Sequence, residues 1–180
     1  MNAMQVRTEE LETSRLKLRK LVSEDAEVLF RIRTDENVTK YVNPPGYKEV
    51  SDALRFIRRV TEDIKIGKVC FWGIALQYDD QLIGTICLFN VDENKLRGEV
   101  GFDLLPEFQD QGYASEALEA VHELGYKMLR LGTLEAYTHV ENASAIKLLL
   151  KHGYKKFGEV EEDGLPMGIY EKKSEGRGKE

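Results

Sequence analysis

The chain has 180 residues and a mass of 20.6 kDa, enough to bury one core without disulfides or metals and too little for a second full domain. Hydrophobic residues make up 42% and charged residues 32%, which excludes a disordered or fibrous chain, and apolar runs such as Leu148-Leu149-Leu150 are far shorter than the ~20 residues of a membrane span. The formal net charge of −6 argues against a nucleic-acid backbone binder, and the opening Met-Asn-Ala-Met-Gln has no signal-peptide character, so a cytoplasmic location without membrane or direct nucleic-acid partners is expected.

Along the chain, Arg15 to Leu21 alternates like a half-buried strand. Ser23 offers an N-cap, with Glu24 and Asp25 suited to a helix's first turn, and Ala26, Leu29, Phe30 and Arg33 continue at helical spacing. After the break at Asn43-Pro44-Pro45-Gly46, Ser51 offers a second cap, and Ala53, Phe56, Ile57, Val60 and Ile64 share one helix face. Val69 to Tyr78, Gln81 to Val91 and Lys95 to Leu105 read as three strands whose short polar connections suit antiparallel neighbours. A helix follows with Ala114, Ala117, Leu118, Val121, Leu124, Gly125 and Met128 on its apolar face. Thr133 to Thr138 is a strand, Asn142 to His152 a helix, and Tyr154 to Glu162 with Leu165 to Lys173 a closing hairpin about Asp163-Gly164. Ser174 to Glu180 is a charged tail expected to be mobile. No repeat or linker divides the chain, so one α/β (α+β) domain over 1–180 is expected, with its core at about 15–173.

Cys70 and Cys87 lie in strand-like stretches without a CxxC partner and read as buried free thiols. His122, His139 and His152 lack metal-ligand spacing, so no metal is expected. His122 falls on the polar side of its helical pattern, and His152 near a helix end where a cation suits the dipole. His139 ends a strand, either as an exposed residue or as a substrate contact.

The stretch from Glu99 to Ser115 is the most informative. A strand runs into Pro106, a short polar loop follows, and Gly112 opens a long amphipathic helix. Unpaired N–H groups at a helix start, aided by the helix dipole, make an anion site, and Gly112 permits close backbone approach. The loop lacks the Lys-Ser/Thr of a nucleotide-binding P-loop and the G-x-G-x-x-G dinucleotide fingerprint.

Gln109-x-x-Gly112-x-Ala114, after a strand ending Leu104-Leu105-Pro106, resembles the acetyl-CoA pyrophosphate loop of the GNAT acetyltransferases. Asn142-Ala-Ser-Ala-Ile-Lys-Leu-Leu-Leu-Lys-His-Gly-Tyr154 resembles that superfamily's second signature, and the order of elements matches from Arg15 to Lys173. Arg15-Leu-x-Leu-Arg, Trp72-Gly73-Ile74 and Ile83-Gly84 are similar to the branch of ribosomal-protein N-terminal (alanine or serine) acetyltransferases. The resemblance implies a mixed, twisted, mostly antiparallel sheet of about seven strands with helices on both faces, splayed between the strands ending at Leu105 and starting at Thr133.

In that gap the pantetheine arm of acetyl-CoA would pair with backbone near Phe102 and Leu104, leaving CoA as product. The pyrophosphate would rest on amides of Gln109, Asp110, Gln111, Gly112, Tyr113, Ala114 and Ser115, and Lys151 would approach the phosphates. Asn142 would bond the pantetheine or act as a plain N-cap. Glu99 matches a position where relatives carry a catalytic Glu; it is either the base or a solvent-facing carboxylate. The usual Tyr acid position is Leu149, which cannot protonate a thiolate, so Ser144 or solvent is the remaining proton source. The segment from Asn37 to Tyr47 would wall the acceptor site, with Tyr41, Trp72 and Phe89 shaping it or lying in the core.

Three functions fit: acetyl transfer to a protein N-terminal amine, acetyl transfer to a small amine (polyamine, amino acid or aminoglycoside), or a non-catalytic acyl-CoA sensor. The closing hairpin leaves an edge that a second copy can use as a homodimer interface.

Overall fold

The alternation that begins at Arg15 produces a short strand with Leu16 and Leu18 wholly buried. The computed structural model describes residues 9–43 and 46–174. Its strands are β1 (Leu11–Glu12), β2 (Leu16–Arg19), β3 (Cys70–Leu76), β4 (Leu82–Asp92), β5 (Arg97–Leu104), β6 (Thr133–His139), β7 (Lys155–Glu162) and β8 (Leu165–Lys173). They form an eight-stranded sheet in the order β1-β2-β3-β4-β5-β6-β8-β7. One strand exceeds the expected count: β1, two residues long, is too short to show an alternation. All neighbours are antiparallel except β5 and β6, which run parallel and pair only Arg97–Glu99 with Thr133–Glu135.

Helices α1 (Ala26–Thr34), α2 (Glu36–Thr39) and α3 (Val50–Lys65) lie on one face of the sheet, and α4 (Tyr113–Glu123) and α5 (Ala143–Lys151) on the other. Strand alternation sorts the core accordingly: Phe71 and Leu82 meet Leu29, Ile32 and Ile57, while Trp72, Ile86 and Val100 meet Leu118 and Val121. Trp72 is therefore core rather than acceptor wall, and its Nε1 donates to the Glu9 carbonyl at 2.7 Å. Among the described residues no helix is long and apolar enough to cross a membrane. Pro44 and Pro45 of the expected break, and all of the expected tail except Ser174, lie outside the described residues.

Both serine caps give way to carboxylates. Asp25 forms a buried bidentate pair with Arg19 (2.8 and 3.0 Å) and accepts the Val22 N–H at 2.8 Å, while Ser23 turns its hydroxyl to Glu24. At α3, Glu49 is the N-cap, and Asp52 accepts the N–H groups of Lys48 and Glu49 at 2.7 and 3.1 Å; Ser51 lies inside the helix. An ionised carboxylate offers two acceptor oxygens and a charge that the helix N-terminus favours, so it outcompetes a hydroxyl. After α4 the backbone widens into a π turn over Leu124–Met128, which lets Gly125 pack on Leu134. The closing hairpin turns at Asp163 (φ 50°) and Gly164 (φ 79°), the paired positive angles of a tight type I′ turn.

His122 is buried, not on a polar face, and its Nε2 lies 2.9 Å from the Tyr154 hydroxyl. Burial, with Lys172 and His152 nearby, pushes its pKa down to about 3. His152 is also buried, and burial, opposed by Glu119 but reinforced by Lys151 and Lys172, pushes its pKa down as well, which disfavours a cation at the helix end. The helical pattern missed His122 because Tyr154 and the β8 lysine cover that side of α4 through long-range packing, and missed the burial of His152 because Ser115 of α4 meets it at the end of α5.

The consequence for stability has a definite sign. The unfolded chain binds a proton at His122 near pH 6.5 and the folded one only near pH 3, so His122 opposes folding increasingly as pH falls through that window. At pH 4 this amounts to roughly 3 kcal/mol, on an order-of-magnitude scale. Urea unfolding at pH 7.5 and pH 5 is expected to show a loss of stability that His122→Gln reduces; an equal loss in the variant would remove His122 as the cause.

Candidate active site

The loop between β5 and α4 is braced by its own side chains. The Gln109 amide donates to Pro106 O at 3.2 Å, and its Nε2 donates to Leu104 O at 2.9 Å. Gln109 and the Leu104 carbonyl therefore shape the loop rather than stand open to a ligand. Gln111 Nε2 similarly donates to Glu107 O at 2.7 Å. The N–H groups from Asp110 to Ser115 have no acceptor among the described residues, and Glu116 is the first to bond, to Gly112 O at 3.0 Å. This row of open donors at a helix start is an anion cradle. Gly112 holds it in shape at φ 83°, a conformation costly for any side chain.

Arg15 fastens the loop from outside. Its Nε donates to Glu116 Oε2 at 2.7 Å and its Nη1 to Gln111 O at 3.0 Å, with the guanidinium 4.4 Å above the Tyr113 ring. On the other side, Ser115 Oγ hydrogen-bonds His152 Nε2 and accepts from Lys151 Nζ at 3.4 Å. Arg15 stood in the quoted strand motif, but nothing local in the sequence ties it to a loop about a hundred residues away.

Past Glu99 and Glu135 the strands β5 and β6 part, so residues 100–104 have no strand partner on that side. A cavity of about 1090 Å³ occupies the gap and runs from Gly112 and Ser115 past Phe102 to Glu99. Asn142 lines it and also caps α5, its Oδ1 accepting the Ala145 N–H at 3.2 Å while Nδ2 has no partner among the described residues. The two alternatives for Asn142 are thus compatible. Ser144 is exposed and also lines the cavity.

The α1–α3 face holds the other half of the cavity. Glu99, Gly101 and Asp103 alternate onto this face of β5, opposite Phe89, Cys87 and Thr85 of β4. A bulge between Phe89 and Asp92 places Asn90 at φ 48°, and its Nδ2 donates to Glu99 Oε2 at 2.9 Å. Burial pushes the Glu99 pKa up; the Asn90 bond opposes this, and Glu162 and Glu135 add to it. Tyr137, on β6, is pushed up by burial and then by Glu135, Glu99 and Glu162, so its phenol stays protonated. Burial, then the charge of Asp103, pushes the Cys87 thiol up to about 12, which leaves it a poor nucleophile. Tyr41 stacks on His139 with ring centroids 5.3 Å apart, and both line the cavity.

The family model described as the acetyltransferase (GNAT) domain matches residues 15–155. This chain belongs to the GNAT family. The N-acetyltransferase p20 of Bacillus licheniformis, itself described as uncharacterized, is 37% identical over 151 residues, covering 83% of this chain and 84% of that one. The spermidine N(1)-acetyltransferase of Escherichia coli K12 is 25% identical over 158 residues, covering 86% and 81%. Among solved structures, RimJ of Mycobacterium smegmatis in complex with CoA-disulfide superposes with a TM-score of 0.80 at 18% identity, covering 91% and 84%, a likeness of fold.

As a GNAT protein the chain is an acetyl-CoA-dependent N-acetyltransferase. The residues present fit that cofactor: the open amides from Asp110 to Ser115 match a pyrophosphate, and the unpaired edge of β5 can bond a pantetheine. Lys151 and Asn142 both line this cavity, Lys151 beside Ser115. Arg33, Arg59, Tyr137 and Glu162 are among the cavity-lining residues that went unnoticed in the sequence. They come from four separate elements, α1, α3, β6 and β7, and only the fold brings them together. Among the described residues no group of three His, Cys, Asp or Glu can hold a metal ion.

Proposed function

We propose that this GNAT enzyme acetylates the N-terminal α-amine of a peptide or protein, as the ribosomal-protein branch does. The observation that carries this reading is the make-up of the acceptor wall. It mixes Glu99 and Glu162 with Arg33 and Arg59, whereas a polyamine is best served by a wall of carboxylates alone. The low reactivity of the Cys87 thiol also favours direct transfer to the amine over an acyl-cysteine route.

Acetyl-CoA supplies the acetyl group as a thioester when bound. The amides from Asp110 to Ser115 hold its pyrophosphate, with Lys151 adding a cation at the end of the loop. Glu99, kept in place by Asn90, accepts the proton of the attacking amine directly or through a water. An α-amine of pKa ~7.7–8 asks little of such a base, unlike a lysine at ~10.4. Ser144 at the start of α5, and the protonated Tyr137 across the gap, are the hydroxyls that return a proton to the leaving sulfur or order a water that does.

The test is release of CoA thiol with a short peptide bearing a free α-amine, the same peptide N-blocked but carrying a lysine, spermidine, and no acceptor. The free α-amine peptide is expected to turn over fastest. If spermidine or the blocked peptide outpaces it, the enzyme belongs to the small-amine or lysine class.

A further inference from the structure

The acceptor half of the cavity has two poles of opposite charge. At one end are the carboxylates of Glu99 and Glu162. At the other, Arg33 and Arg59 flank one ring, each guanidinium carbon 5.4 Å from the Phe56 centroid. Arg33 is held by Asp103, with Nη1 donating to Oδ2 at 2.8 Å. The Asp103 Oδ1 atom is already taken by the Thr85 amide and hydroxyl, at 3.0 and 2.7 Å. Arg59 has no carboxylate partner among the described residues, so this pole keeps a net positive charge in a chain whose net charge is −6. Burial pushes up the pKa of Tyr47, which also lines the cavity, while the charges of Arg33 and Arg59 oppose the rise and Asp52 adds to it.

We infer that Arg33 and Arg59 form an anion subsite that selects acceptors carrying an acidic side chain close to the amine. The inference rests on this cavity being the acceptor site. Glu99 and Asp103 are four residues apart on an extended strand, about 13 Å, and the arginine pole begins at Asp103. A free α-amino acid, whose amine and carboxylate share one carbon, cannot span that distance. An extended peptide advances about 3.3–3.6 Å per residue, so an Asp or Glu within the first four residues reaches from a reacting amine at Glu99 to the guanidinium fork. Arg59, with its donors unspent, supplies the charge-assisted bonds, beside Arg33 at the same Phe56 ring. A polycation threaded along the same path would place its second charge against Arg59.

The test uses two acceptor pairs matched in length and read by CoA release. One pair is a free α-amine peptide with either Asp or Lys at its third position; the other is 10-aminodecanoate against 1,10-diaminodecane. The wild-type enzyme is expected to favour the anionic member by about tenfold in kcat/KM in any pair it acetylates, and Arg59→Glu to reverse that order with acetyl-CoA affinity unchanged. Arg59→Gln should abolish the preference without reversing it, separating charge from damage to the fold. A charge-blind ranking by the wild type, or an equal loss on all acceptors in Arg59→Glu, overturns the subsite. Turnover confined to the aminodecanoate and diaminodecane pair, with the reversal intact, retires the peptide reading and leaves the subsite standing.

Discussion

Gly112→Glu is expected to abolish acetyl-CoA binding by a protein that remains folded. The amides from Asp110 to Ser115 are open donors beside the cavity, on a loop that Gly112 turns at φ 83°. A glutamate there brings two faults: a backbone angle that L-residues resist, and a carboxylate that competes with the pyrophosphate for the same donors and repels it. Titration calorimetry with acetyl-CoA and CoA should show affinity falling by about a hundredfold or more, since charge-assisted bonds to several amides are lost together. Gly112→Ala separates the faults, because it imposes strain of about 1–2 kcal/mol and no charge. Its Cβ would begin 3.2 Å from Arg15 Nη2, the movable end of a long side chain. Binding retained by Gly112→Glu would mean that the cradle is not the phosphate site.

Glu99→Gln should lower kcat by about 10²- to 10⁴-fold, the usual contribution of a positioned base. Glutamine has the same shape and can still bond Asn90 through its amide oxygen, so the loss reports the missing proton acceptor rather than a rearranged pocket. The pH dependence carries the sign. Burial raises the Glu99 pKa above its ordinary carboxylate value, so the base form fills as pH rises through that raised pKa. Wild-type kcat/KM should therefore climb along an acidic limb that the variant lacks, leaving only the limb of the acceptor amine. Affinity for acetyl-CoA should be the same in both. An unchanged kcat would dismiss Glu99 as the base and leave it a structural partner of Asn90.

What the sequence revealed was local, and what it hid was long-range. Strands β3, β4 and β5 were legible because β-prone runs and the turn residues that bound them are written within about ten positions, and the Gly112 loop because its spacing is short. Helix starts were misplaced at Ser23 and Ser51 because the carboxylates that hold those ends, Asp25 two residues on and Asp52 one residue on, outcompete the hydroxyls, and Asp25 draws strength from Arg19 on a strand. His122 and His152 looked polar because a helical period says nothing of what covers the helix. The arginine pole was invisible for the same reason: Arg33 and Arg59 belong to different helices, and Phe56 and Asp103 bring them into one place.

The parallel seam between β5 and β6, three residue pairs long, makes the protein two half-sheets joined by a short stitch. Backbone groups beyond the stitch are left for a bound arm to complete, so the ligand acts as a missing rung of the ladder. Occupancy and resistance to unfolding then rise together: a ligand at a hundred times its Kd adds about 2.7 kcal/mol to the folded state. Resistance of the folded enzyme to proteolysis should thus rise with the concentration of its acetyl donor.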